Sequence, residues 1–484
     1  MRRTRKLSRF ETTTAVDRIS EFPDSILVHI LSLLRIEYAV RTQVLSKRWR
    51  FLWTFLPSLL FCYSAFDDDR GEGEDFRVAR NTDFVNFVGK TLFASNCKLK
   101  KFEVDICYHP RFASNVDSWT RFAAGKGVEE LDLQLCPDAT DTEYEHELPQ
   151  LLYDNSWFKE LRFSHCSVIP KGNVAWYSLK KLSIGDVELS NDVIERILAG
   201  SPVLETLELH TCEGFSRLAV TNSCVKKLIL RNCLDFLSDD KRLEISAPYL
   251  LSLEMSGYLG SNCRFTNISS LVDAVFNCEF RCKVEDRANG YERIQNIVVV
   301  FLASLLHVKN LTLGTWAIQV CICAVLSFME AKGLSCPLLN CKCLTLDTDI
   351  NKYVLPGIAN VFKSTPNVEA LIMTWSVSSS ELYGIRSTML LNYNEEQYWT
   401  SQKWTYKCLT LHLKNVTISN CLTKYNYDSN FFSFIQFLLR NARVLQKMVI
   451  NTPSDARMKE YYFKVAKKLL SFPRSSPDAT VIFW

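Results

Sequence analysis

The chain has 484 residues, 47% hydrophobic and 23% charged, an ordinary globular composition with room for about three domains. Lys plus Arg number 57 against 53 for Asp plus Glu, a net charge of +4, too balanced to imply nucleic acid on bulk charge alone. The longest apolar runs, 297–306 and 317–329, are too short or too mixed to span a bilayer, so no membrane partner is expected.

The opening residues, 1–16, are basic and lack an apolar run; the expectation is a disordered tail without a secretory signal. Arg2, Arg3, Arg5 and Lys6 form a short cluster that a nuclear import signal would resemble. The expected location is therefore cytoplasmic, nuclear or both. In such a compartment the 18 cysteines read as free thiols. The pairs Cys321/Cys323 and Cys341/Cys343 lack the knuckle spacing and the histidine partners of a zinc site, and no cofactor is indicated.

Residues 17–62 carry the densest local signal. Pro23 sits where a helix starts, and Asp24 follows in its first turn. Ile26, Leu27, Ile30, Leu31 and Leu34 then recur at helical spacing. Tyr38, Ala39, Val40, Val44 and Leu45 predict a second short helix. Ser46 is placed to cap a third, on which Trp49, Leu52 and Trp53 share a face. Three short helices cannot bury that much apolar surface against one another, so a partner surface is expected.

The motifs F-P-D at 22–24, I-L-x-x-I-L-S-x-L at 26–34 and V-L-S-K-R-W-R-x-L-W at 44–53 resemble the F-box, the module that docks a substrate receptor onto the Skp-type adaptor of an SCF ubiquitin ligase. The form ending in LSKRWRxLW resembles the plant F-box proteins that also carry leucine-rich repeats and an FBD region. The resemblance implies adaptor docking through Phe22, Pro23, Ile26, Ile30, Leu31, Leu34, Val44, Leu45 and Trp49, some of which must also pack internally. Two departures stand out. Phe22 replaces the family's leucine before the proline. The turn Leu34-Arg35-Ile36-Glu37 lacks the family's helix-stopping proline, which leaves the first helix free to run on and adaptor affinity open.

Residues 63–83 read as an acidic and glycine-rich hinge, on the run DDDRGEGED at 67–75. From about 84 to 400 a unit repeats: an apolar residue, two variable residues, Leu, one variable residue, another apolar residue. It occurs at 128–133, 158–163, 179–184, 204–209, 225–230, 250–255, 308–313, 341–346 and 368–373. Leu161, Leu182, Leu207, Leu228 and Leu253 are spaced at a leucine-rich-repeat period. The longer interval from Leu253 to Leu311 predicts one further strand, and 191–200 and 355–364 read as helices between strands. Cys166, Cys212 and Cys233 fall where such repeats satisfy turning backbone.

No single unit buries its apolar face alone, so neighbours stack into a curved α/β solenoid with the variable residues along a concave face. Two columns follow from the alignment. One runs Asp132, Arg162, Ser183, Glu208, Ile229, Glu254, Thr312, Thr345, Ile372. The other runs Glu130, Glu160, Lys181, Thr206, Lys227, Ser252, Asn310, Cys343, Ala370. Neither is a basic stripe, which disfavours nucleic acid. Asp132, Arg162, Lys181, Glu208, Lys227 and Glu254 are the candidate target-binding residues.

Residues 401–484, with the ending FPRSSPDATVIF, resemble the FBD region: a strand over 404–418, an amphipathic helix, a strand, a helix and a final strand, together capping the solenoid. The seven histidines sit in no hydrolase, metalloprotease or phosphate-loop motif. The resemblance implies a non-catalytic receptor subunit: the F-box binds the adaptor and through it a cullin/RING core, and the repeats bind a target protein. Two other readings stand beside it, a repeat scaffold with weakened adaptor binding and a receptor gated by a small molecule.

Overall fold

The computed structural model describes residues 19, 21–63, 74–137, 145–233, 243–258, 263–279, 287–314, 325–348, 354–374, 393–394, 397–402, 405–419, 429–452 and 459–484. The expected tail, 1–16, lies outside them. The chain divides into two compact units, Met1–Leu152 and Tyr153–Trp484.

The first unit opens with α1 (Asp24–Ser32) and α2 (Ile36–Arg41), followed by a 3-10 turn over Thr42–Val44 and a 3-10 segment over Trp49–Phe55. Helix α1 does not run on through the turn that lacks proline. Arg35 is extended, with ψ 147, and caps α2. The break lets Ile36 and Ala39 turn inward, 2% and 0% exposed, an apolar gain that outweighs continuing the helix. The third segment is a 3-10 helix entered from Arg48, not an α-helix capped by Ser46.

The segment read as a hinge contains the start of α3 (Glu74–Ala94), while 64–73 lie outside the described residues. Three parallel strands complete this unit: β1 (Ser58–Cys62), β2 (Lys101–Tyr108) and β3 (Glu130–Pro137), with α4 (Ala113–Gly125) between the last two. Strands β1 and β2 precede the first repeat the sequence pattern picks out. Buried residues alternate with more exposed ones in both, the period of a strand with one face in the core.

The second unit is a parallel sheet of twelve strands among the described residues, one strand per repeat. They are β4 (Glu160–Ser164), β5 (Lys181–Gly185), β6 (Thr206–His210), β7 (Lys227–Arg231), β8 (Ser252–Tyr258) and β9 (Asp273–Glu279). They continue as β10 (Asn310–Leu313), β11 (Cys343–Asp347), β12 (Ala370–Thr374), β13 (Asn415–Ser419), β14 (Lys447–Asn451) and β15 (Thr480–Phe483). Strand β9 is the further strand expected between Leu253 and Leu311.

The register is continuous: Leu161, Leu182, Leu207, Leu228 and Leu253 stand side by side, all buried. Helices close the return path in several repeats, at Asn191–Ala199, Arg287–Ala303, Val325–Ala331 and Leu355–Ser364. Elsewhere the return is extended, and Arg217–Ala219, Leu243–Ser246 and Cys263–Thr266 pair into a small parallel sheet.

The FBD-like end continues the same pattern. The strand expected over 404–418 forms only from Asn415, because Cys408–His412 turn as a π-helix that buries Cys408 and Leu409. Helices Ser429–Asn441 and Lys459–Leu470 follow β13 and β14. Among the described residues no helix is long and apolar enough to cross a membrane.

Candidate functional site

Two surfaces carry the residues singled out from the sequence, one in each unit. In the N-terminal module the core is formed by Leu27, Leu31, Ile36, Ala39, Trp49, Leu52 and Trp53. Two of the expected docking residues, Leu31 and Trp49, therefore belong to the core. Phe22, Pro23, Ile26 and Leu34 are exposed and Ile30 is half-buried. Val44 and Leu45 are 82% and 64% exposed, because the 3-10 turn lifts them off the helical face that the spacing suggests. Leu33, Tyr38, Phe51 and Phe55 are exposed as well. Phe51 and Phe55 lie in the 3-10 segment, where a period of 3.6 does not sort a core stripe from an outer one.

Arg48 pins this module. Its Nε and Nη2 donate to Asp24 Oδ1 at 2.9 and 2.6 Å, and Nη2 also donates to the Phe22 carbonyl. The start of α1 is thus tied to the turn before Trp49. In the altered turn, Glu37 is buried, with Arg35 Nε at 3.7 Å from its carboxylate.

In the repeat unit, β4 to β8 place Arg162, Ser183, Glu208, Ile229 and Glu254 in one row of the outward face, with Lys181 and Lys227 two residues earlier on the same face. Asp132 lies on β3 of the first unit, where Gln134 donates to it at 2.6 Å. Five of the six candidate target residues are therefore gathered on neighbouring strands. They do not stand as open charges. Arg231 donates from Nη1 to Glu208 and from Nη2 to Glu254 at 3.0 Å, and Lys227 lies 3.9 Å from Glu254.

Ile229 sits between the two glutamates in the register, two residues from Arg231 on the same face. The ion bridge spans the two strands that flank it, and it is only 6% exposed. Ser183, read as outward, is buried too. Arg231 escaped the sequence reading because the columns stopped two residues short of it. Period-two alternation puts it on the same face, a signal that was available.

At the ends of the strands the backbone turns through left-handed residues: His165, Asp186, Thr211 and Asn232, with φ between 51 and 53. Each amide donates to the next repeat, for example Asp186 to the His210 carbonyl at 2.9 Å. Asp186 Oδ2 lies 3.6 Å from His165 Nε2 and 3.5 Å from His210 Nδ1. Gly185 makes room for the His210 ring, since a Cβ there would come within 1.6 Å of it.

Cys212 and Cys233 donate to the carbonyls of Ile184 and Leu209 in the preceding repeat, at 3.3 and 3.1 Å. Their thiols satisfy turning backbone, as their positions suggest. Burial pushes the thiols of Cys263, Cys336, Cys341 and Cys408 up to about 12, which makes them poor nucleophiles near neutral pH. Among the described residues, no group of three or more His, Cys, Asp or Glu could hold a metal ion.

Three family models match the chain: the F-box domain over residues 19–60, the At1g61320/AtMIF1 leucine-rich-repeat domain over 94–331, and FBD over 405–450. The Arabidopsis thaliana F-box/LRR-repeat protein At5g02910 is 32% identical over 446 residues, covering 91% of this chain and 89% of the relative. The putative F-box protein At1g49610 of the same plant is 33% identical over 361 residues, 74% and 84% of the two chains. The putative F-box/LRR-repeat protein At3g18150, also from that plant, is 29% identical over 451 residues, 90% and 87% of the two.

Proposed function

The chain belongs to the F-box/leucine-rich-repeat proteins, with an FBD region at its end, and on that premise we propose that it is a substrate-recognition subunit of an SCF-type E3 ubiquitin ligase. The N-terminal module docks a Skp-type adaptor and, through it, the cullin/RING core. The repeat unit holds a target protein on the outward face of its sheet, where Arg162, Lys181, Lys227 and the Glu208–Arg231–Glu254 bridge stand together. The chain contributes no chemistry. Its work is proximity, holding a lysine of the target near the charged conjugating enzyme, in the cytoplasm, the nucleus or both.

The observation that carries this reading is that Phe22, Ile26, Leu34, Val44 and Leu45 are all exposed on a module whose own core is closed by other residues. So many exposed apolar side chains within one short module point to a protein interface. In this reading Leu31 and Trp49, which are buried, pack the module's core instead of docking.

The test is co-purification of the full chain with a Skp-type adaptor, alongside the variant Val44→Asp/Leu45→Asp. The parent chain is expected to co-elute. The variant is expected to bind at least about tenfold more weakly, roughly 1.4 kcal/mol, with its melting temperature unchanged because both residues are solvent-facing. No association by the parent chain would overturn the reading in favour of a repeat scaffold that binds a partner without delivering it.

A further inference from the structure

The outward columns are mixed in sign, but one position earlier the repeats expose a different row. At each step from β4 to β14, the amides of two successive residues donate to a single carbonyl of the preceding repeat. Lys180 and Lys181 donate to Lys159, and Lys342 and Cys343 donate to Lys309. This ladder brings the residues just before each strand into one line along the edge of the sheet. Together with the first residue of each strand, which stands on the adjoining outward face, it carries nine lysines against four carboxylates, Glu160, Glu205, Asp273 and Glu369.

The carboxylates are already engaged. Glu205 pairs with Lys180 at 2.9 Å, and Glu369 is held between Lys342 and Lys414 at 3.0 Å each. Hydrogen bonds from those two amines hold the Glu369 carboxyl below the usual carboxylate pKa range, so it stays ionised with its charge already matched. Glu160 lies 4.0 Å from Lys181, and Asp273 accepts from Asn310. Lys226, Lys309 and Lys447 are exposed and form no ion pair among the described residues.

The charge is also spaced. Lys159, Lys180, Lys181, Lys226 and Lys227 make one block, and Lys309, Lys342, Lys414 and Lys447 make a second. Between them the ladder passes through Leu251 and Val272, with Leu251 and the neighbouring Tyr249 exposed. Lys226 to Lys309 is three strand steps, about 14 Å at ~4.8 Å each. Roughly four extended residues cover that span.

We propose that this edge docks an acidic segment of the target protein, two acidic blocks separated by about four residues that carry apolar side chains. The proposal rests on the reading of the repeat unit as the target-binding part, and it places the docking site on the edge of the sheet beside the outward face. A nucleic acid fits less well. Its regular row of phosphates would meet the interleaved carboxylates, whereas a peptide can leave those positions neutral. The ladder also holds no arginine for bidentate phosphate contact.

The probe is a labelled peptide with four glutamates at either end and Phe-Leu-Phe-Leu between, titrated with the full chain by fluorescence anisotropy. Binding is expected at low salt and is expected to weaken as salt rises. The variant Lys226→Glu/Lys309→Glu should bind at least about tenfold more weakly, roughly 1.4 kcal/mol, with an unchanged melting curve. Absence of binding by the parent chain, equal binding by the variant, or tighter binding of a single-stranded oligonucleotide would each overturn the proposal. Loss of peptide binding in Arg231→Glu but not in the lysine variant would also overturn it, by placing the site on the outward face. Adaptor co-purification by the same proteins is read separately. If the parent chain fails there, the ligase reading falls and the edge proposal is decided by the peptide alone.

Discussion

Arg48 and Asp24 stand twenty-four positions apart in the chain and share two hydrogen bonds, from Nε at 2.9 Å and from Nη2 at 2.6 Å to one carboxylate oxygen. Both groups are substantially exposed, so the ion pair itself stabilises little, about 0.2–1 kcal/mol. Its geometric effect is larger: it fixes the start of α1, and with it Phe22 and Ile26, against the turn that displays Val44 and Leu45. Arg48→Ala is expected to lower the melting temperature by no more than a few degrees while weakening adaptor binding several-fold. A large loss of stability with intact affinity would show that the pair serves the fold alone.

Leu31 and Leu45 test the division between core and docking surface. Leu31 is fully buried and Leu45 is 64% exposed. Leu31→Ala is expected to cost about 2–5 kcal/mol, the usual range for a buried leucine. Leu45→Ala is expected to leave stability within about 0.5 kcal/mol and to reduce adaptor affinity. Chemical denaturation and an adaptor titration on both variants separate the two roles.

Much of this architecture is legible in the residues. The leucines at 161, 182, 207, 228 and 253 fall in one register because repeat length is a covalent fact, and stacking only has to align it. What escaped depended on local backbone choices or on side chains reaching across repeats. The 3-10 turn over Thr42–Val44 exposes two residues that helical spacing would place with the core. The Glu208–Arg231–Glu254 bridge needs three strands to meet, and it flanks the buried Ile229. The lysine edge was overlooked for another reason. Six of its nine lysines lie just before the strands, where the alignment of outward residues does not look.

The bridge makes its own prediction. Arg231→Ala leaves Glu208 and Glu254 flanking Ile229 with their shared counter-ion gone. A charge-assisted hydrogen bond contributes about 1.5–3 kcal/mol when partly shielded, and the exposure of Arg231 argues for the lower end. A loss of about 1–2 kcal/mol is expected, largely restored by the double change Glu208→Gln/Glu254→Gln in the Arg231→Ala background. If the double change restores nothing, like-charge repulsion is not the cause, and the loss lies in the packing of the arginine stem.

His146 gives the first unit a dependence on pH. It is 5% exposed, with Nδ1 3.3 Å from the Tyr108 hydroxyl and Nε2 3.4 Å from Asp117. Burial lowers its pKa below the usual 6.5, and the opposing pull of Asp117 and Glu147 does not cancel that. The folded chain therefore binds this proton less tightly than the unfolded chain does. Above 6.5 both states leave the ring neutral and the contribution to stability is fully present. As pH falls through 6.5 the unfolded state takes up the proton first, and stability is lost progressively until the folded-state value is passed. Melting temperatures of the parent chain and of His146→Gln, compared between pH 7.5 and 5.5, should converge as the pH drops, because only the parent loses this contribution. A constant gap across that range would mean that the ring is charged or neutral alike in both states and that Asp117, not burial, governs the site.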